Sequence, residues 1–410
     1  MRPTRRSLLV SAAAAATAPR FPARAQAPAI KIGVLNDMSG PYRDASGPTS
    51  AACVRQAVEE FRAAHGSGFE VEVVAADHQN KPDVGSNIAR QWIDRDGVDL
   101  IVDVGNSAVA LAVNGICREK DRAYVNSTAG STDLTGSQCS PTLVHWTYDN
   151  YMLSRSTGGA MVKAGGDTWF FITADYAFGH SLERETSAFV REAGGKVLGS
   201  VRHPFPATSD FASFLVQAQS SRAKVIGLCN AGNDTVACVK QAAEFGVTRR
   251  GVKLAGMLLF ITDIHALGLQ TAQGLVLTES FYWDLNDRTR AFTRRVLPKT
   301  GGIHPAMSHA GCYGGTLHYL KAVADLGAGE AKRSGAAAVA RMKAMPTDDD
   351  AFGPGQIRED GRKLHPSYLF EVKKPEESRG GWDYYKLLAT TPPDQAFRPM
   401  AAGGCPLVRA

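Results

Sequence analysis

A strand, a short polar loop and a helix recur four times along this chain, and that repetition restricts the fold more than any other feature. In the first unit Ile32, Val34 and Leu35 form an apolar run that reads as a buried strand. Ser39-Gly-Pro41 breaks it, and Ala52, Val54, Ala57, Val58 and Phe61 then repeat at helical spacing. The pattern returns at residues 99–103 with the loop 104–107, at 169–173 with the loop 174–179, and at 224–228 with the loop 229–234. Such units build parallel sheets, and each loop lies at a strand's carboxyl end facing a helix N-terminus. Four such loops, rich in small polar and aromatic residues, describe a binding crevice more readily than a catalytic one.

The first 27 residues stand apart. Arg2, Arg5 and Arg6 precede an alanine-rich stretch, and Ala25-Gln-Ala27 has the small-x-small pattern of a signal peptidase site, with Ala23-Arg-Ala25 as an alternative cut. Arg5-Arg6 before Ser7-Leu8-Leu9 resembles a twin-arginine export signal. An ordinary secretory signal with a chance arginine pair is the other reading. Removing this segment takes away five arginines and no acid, so the formal charge of +6 drops to +1. A balanced charge argues against nucleic acid or a membrane surface as partner. No later stretch reaches the roughly 18 apolar residues of a membrane span. The expectation is therefore a soluble monomer in the periplasm, without membrane insertion.

Seven cysteines follow the signal, at 53, 117, 139, 229, 238, 312 and 405. An exported protein can hold disulfides, but an odd count leaves one unpaired, and no Cys-x-x-Cys occurs. Cys139 and Cys405 each sit beside a proline in a loop and are the expected pair; Cys53 reads as a buried free thiol.

The remaining order suggests two α/β lobes. Further strands are expected at 69–75, 123–126, 253–260 and 274–279, with helices at 287–300, 309–326 and 335–345. Aromatic stretches near 146–151 and 279–284, and the break at 352–355, mark three crossings. Residues 356–361 and 366–373 read as a late hairpin. Lobe 1 is then 28–147 plus 280–352, lobe 2 is 148–279 plus 353–391, and 392–410 is a tail.

Four stretches carry a resemblance: Lys31-Ile-Gly-Val-Leu-Asn-Asp-Met-Ser-Gly-Pro41, Ser131-Thr-Asp-Leu-Thr-Gly136, Ala174-Asp-Tyr-Ala-Phe-Gly179 and Lys240-Gln-Ala-Ala-Glu-Phe-Gly246. Together with the export signal they resemble the periplasmic substrate-binding proteins of ABC importers, in the leucine/isoleucine/valine-binding group. The resemblance spans essentially the whole mature chain. It implies an α/β type I fold, two Rossmann-like lobes joined by a three-crossover hinge, with ligand held in the cleft and passed to an inner-membrane permease. It also implies that Ser107 bonds a ligand carboxylate. Where the family carries a threonine, an ammonium-binding acid and a tyrosine, this chain aligns Gly130, the run Met257-Leu-Leu259 and Ala231. These departures point away from α-amino acids.

The residues themselves support a carboxylate. Ser107 precedes a helix and can either cap it or, with Ser127 and Thr128, donate to an anion there. Loop aromatics at strand tops line pockets more often than cores. The predicted contacts are Tyr42, Ser107, Ser127, Thr128, Trp146, Asp149, Tyr176, Phe178, Asn230 and Tyr282; Asp234 reads as a helix cap. No nucleophile elbow, zinc-protease, Walker or dinucleotide motif occurs. His304, His309, His318 and Cys312 do not share one helical face, so neither enzyme, metal nor cofactor is expected. The expected solute is an aromatic or short-chain organic acid. The alternatives are an apolar amino acid, its ammonium on backbone carbonyls or Asp149, and a sensory module of the same fold.

Overall fold

The computed structural model describes residues 29–66, 68–248 and 251–409; the export signal expected at 1–27 lies outside them. The first lobe is built on a parallel sheet of β1 (Ala29–Asn36), β2 (Glu70–Asp77), β3 (Leu100–Asp103), β4 (Ala123–Asn126) and β5 (Leu143–His145), in the order β2-β1-β3-β4-β5. Parallel neighbours need long crossovers, supplied here by the helices Gly47–His65, Pro82–Gln91 and Ser107–Glu119. Helices on both faces bury β3, β4 and β5 completely, so these strands carry runs rather than alternation.

The second lobe repeats the plan with β6 (Thr168–Ala174), β7 (Lys196–His203), β8 (Val225–Cys229) and β9 (Lys253–Gly256), ordered β7-β6-β8-β9 and all parallel. In each sheet the winding reverses beside the first strand, which places a crevice at the strands' carboxyl ends. β10 (Val276–Glu279) then leaves for an antiparallel sheet, where it pairs with β13 (Ser367–Val372), itself paired with β14 (Tyr385–Thr391). Between them the chain returns to the first lobe, and helix Met307–Leu326 packs along helix Gly47–His65. The helix also lies close to β4 and the first crossing: a Cβ on Gly311 would stand 2.2 Å from Thr147 Cγ2, and one on Gly315 2.5 Å from Val125 Cγ1.

The late hairpin differs from expectation. β11 (Gln356–Ile357) pairs with β12 (Lys363–Leu364), while residues 367–372 turn to β10 and β14. Gly361, at φ +86°, offers its carbonyl to the His145 N–H at 2.9 Å, and Arg362 bridges to His145. Residues 356–364 therefore stand against the first sheet, and the chain crosses after Leu364 rather than at the 352–355 break. Four strands fall where the sequence suggests none: β5, β7, β12 and β14. The run expected as one strand over 253–260 ends at Gly256.

Arg362 ties the crossings together. Its guanidinium is fully buried and donates to the carbonyl of Thr147 and, at 3.1 Å, to that of Lys363; it stands 3.5 Å from Asp149 Oδ2 and 4.4 Å from the centroid of Phe397. His365 Nε2 lies 3.2 Å from the same Thr147 carbonyl. The tail is fastened to the first lobe by a disulfide between Cys139 and Cys405; the other five cysteines are free and buried.

Candidate functional site

The loops above β1, β3 and β4 face those above β6, β8 and β9 across a cavity of about 10 Å³, room for roughly one water. Tyr42, Ala45, Gly105 and Thr128 line it from the first lobe and Tyr148 from the first crossing; Tyr176, Phe178, Ala231, Leu258 and Phe260 line it from the second lobe. Five of these residues are aromatic and none is acidic. A solute of ten heavy atoms needs the lobes to part before it enters. Across the cleft Tyr42 and Tyr176 join hydroxyls at 2.6 Å, and Thr132 Oγ1 donates to Glu185 at 2.9 Å.

The first-lobe wall is set by an uncommon backbone. Asp103 and Val104 both have positive φ, +81° and +60°, a costly region for a β-branched residue. Three bonds hold it: the Val104 N–H to the Leu35 carbonyl at 2.9 Å, and the Asp103 carboxyl accepting from Asn36 at 3.0 Å and from Thr128 Oγ1. Burial pushes the Asp103 pKa up, and the bonds from Thr128 and Asn36 oppose it. The bend brings Gly105 to the cavity and makes Asn106 the helix cap, its Oδ1 accepting from Ala108 (2.9 Å) and Val109 (3.2 Å).

Of the ten predicted contacts, Tyr42, Thr128, Tyr176 and Phe178 line the cavity. The other six are employed elsewhere. Ser107 sits one residue inside the helix and accepts the Ser131 N–H at 3.3 Å. Ser127 Oγ donates to the Ser308 carbonyl at 2.5 Å. Trp146 is buried against His318 and the Lys363 ammonium. Asp149 caps the helix Asn150–Leu153 through the Met152 N–H at 2.9 Å and pairs with Arg362. Asn230 braces Thr235 (2.7 Å) and His203 (3.3 Å). Tyr282 packs on Tyr385 and Phe370, with its hydroxyl on the Trp382 carbonyl.

The Thr128 hydroxyl donates to Asp103, the Ser127 hydroxyl to Ser308, and the Tyr148 hydroxyl to the Thr128 carbonyl. A hydroxyl has one proton to give. The cage of hydroxyls expected from Ser127 and Thr128 is thus already committed to the protein. Gly130, which the resemblance sets in place of a threonine, has no room for a side chain: its Cβ would stand 2.6 Å from Asn150 Oδ1 and 3.0 Å from Phe178 Cε2.

Beside the cleft, Asp234 is buried with Oδ2 lacking a hydrogen-bond partner and 3.8 Å from His203 Nδ1. Burial pushes its pKa up to about 7 from 3.8. The fold thus holds this proton more tightly than the unfolded chain does, and stability falls as pH rises from about 4 to about 7. Asp234→Asn should flatten that part of a stability-against-pH curve measured by chemical denaturation; an unchanged slope would count against a buried acid here.

Leu258 lies in the run aligned with the family's ammonium-binding acid, whereas Phe260 and Ala45 carry no sequence signal as lining residues. Phe260 looked like the end of a strand; Asp263, which accepts the Phe260 N–H at 2.9 Å, was the available sign that a helix starts there instead.

Residues 29–380 match the model of a family described as periplasmic binding protein. A crystal structure of a periplasmic binding protein from Burkholderia mallei is similar at 48% identity with a TM-score of 0.88, covering 93% of this chain and 99% of that one. A branched-chain amino acid ABC transporter periplasmic ligand-binding protein from Burkholderia xenovorans is 37% identical with a TM-score of 0.80, covering 92% and 99%. A Leu/Ile/Val-binding protein homolog 6 from Brucella melitensis is 26% identical over 377 residues, 89% of this chain and 92% of its own length.

Proposed function

The chain belongs to the periplasmic binding protein family, and from that premise we propose that it captures a small organic acid, aromatic or short-chain, between its lobes and delivers it to a membrane permease. It is a solute-binding protein of ABC transport. The family implies a periplasmic location; the twin-arginine route remains our reading of Arg5-Arg6.

The observation that carries the ligand class is the cavity wall: five aromatic residues and no acid. An ammonium brought into such a wall loses its hydration with no carboxylate among the lining residues to pair with it, a cost of several kcal/mol. A carboxylate fits better: it faces the positive end of the dipole of helix Ser107–Glu119, whose Ala108 and Val109 N–H groups are held by the Asn106 cap, and it meets the Tyr42 and Tyr176 hydroxyls at the cavity wall. The aromatic rings suit a flat or short apolar body.

The second reading is an apolar amino acid. What favours it is the similarity to a branched-chain amino acid ABC transporter ligand-binding protein from Burkholderia xenovorans and to a Leu/Ile/Val-binding protein homolog from Brucella melitensis. A thermal-shift panel separates the two. A ligand at a hundred times its Kd adds about 2.7 kcal/mol, so benzoate or a short keto acid should raise the melting temperature while leucine at the same concentration should not. A shift with leucine-like ligands alone rejects the organic-acid reading. Tyr148→Phe gives a finer test. Removing the hydroxyl opens the second lone pair of the Thr128 carbonyl and should improve leucine binding relative to benzoate by about tenfold, as for one hydrogen bond to a charged group; an unchanged ratio would show that this bond does not disfavour ammonium.

A further inference from the structure

The loop after β7 carries a ring that no sequence pattern marks. Phe205 is only partly buried, yet it stacks on Tyr176 (centroids 4.5 Å, planes 18° apart) and on Tyr42 (5.1 Å, 21°). Tyr176 belongs to the same lobe as Phe205, whereas Tyr42 comes from the loop above β1 on the opposite lobe. The two tyrosine hydroxyls meet at 2.6 Å. The backbone holds the same junction: Asn233 N–H donates to the Pro41 carbonyl at 3.2 Å. Gly232, at φ +56°, makes that approach possible, since a Cβ there would lie 2.5 Å from the Pro41 oxygen and 2.9 Å from Tyr42 Cδ1.

We propose that Phe205 is a latch for lobe closure, a positioning residue that acts on Tyr42 across the cleft rather than on the solute. Opening the lobes carries Tyr42 away and leaves Phe205 with Tyr176, so the Tyr42 stack exists only when the lobes meet. Its free energy therefore enters the closed-to-open ratio and not the stability of either lobe. The inference rests on closure of the interlobe cleft and is independent of which solute binds.

The test needs no solute. Arg118→Cys and Glu192→Cys place one exposed thiol on each lobe, and the five native free cysteines are buried, so nitroxide labels mark these two sites. Pulsed dipolar spectroscopy then reads the distribution of interlobe distances. In Phe205→Ala the closed population should fall relative to the open one by about three- to tenfold, the worth of one aromatic pair. Phe205→Tyr should keep the native distribution, and the melting temperature of Phe205→Ala should stay near that of the native protein. A distribution unchanged by Phe205→Ala would overturn the proposal, as would a loss that Phe205→Tyr reproduces in full.

Discussion

Replacing Arg362 by alanine is expected to destabilise the protein by about 3–5 kcal/mol, the usual cost of removing one member of a buried ion pair. The guanidinium is wholly buried, and its removal leaves Asp149, itself buried, without a counter-charge. It also strips donors from the Thr147 and Lys363 carbonyls and a cation from the face of Phe397. Lysine does not repair the site, because an ammonium cannot reach several acceptors from one planar fork. Surface pairs provide the contrast. Arg333 is largely solvated where it pairs with the partly exposed Glu330, and Arg333→Ala should cost less than about 1 kcal/mol. Denaturant midpoints measure both. If Arg362→Ala unfolds as late as Arg333→Ala, the buried pair does not hold the hinge. Removing both charges with Arg362→Met and Asp149→Asn should recover part of the loss, since the penalty comes chiefly from the charge left alone.

Loss of the disulfide should rank next. Cys139 and Cys405 are 266 residues apart, so the bond removes much of the freedom of the unfolded chain; native disulfides contribute about 2–5 kcal/mol. Cys139→Ser, Cys405→Ser and treatment with reductant should lower the denaturation midpoint alike. Arg398 remains hydrogen bonded to the Thr132 carbonyl at 3.0 Å and to Arg358 through its own carbonyl at 2.8 Å, so the tail should loosen rather than detach. A midpoint unmoved by reductant would contradict a stabilising bond.

The features legible in the sequence were local ones. The strand-loop-helix units rest on apolar spacing and on breakers such as Ser39-Gly-Pro41, all within one short stretch of chain. The two-lobed α/β architecture follows from their order. What escaped depends on partners distant in sequence. Ser107 and Ser127 looked like anion donors, but their partners Ser131 and Ser308 lie 24 and 181 residues on. Asp149 looked available for a ligand until Arg362, 213 residues later, closed on it. The late hairpin differs for the same reason: residues 367–372 alternate, yet alternation does not say which strand they join, and β10 and β14 compete successfully for them. Phe205 had no periodicity at all, and only the meeting of two lobes gives it neighbours.

The proposed function requires that the cleft take an organic acid whole and return it unchanged. Native mass spectrometry of the protein purified from its own compartment, before any dialysis, tests this most directly. An adduct matching an aromatic or short-chain carboxylic acid, released intact on denaturation, is the predicted result; an adduct of leucine, isoleucine or valine would contradict it.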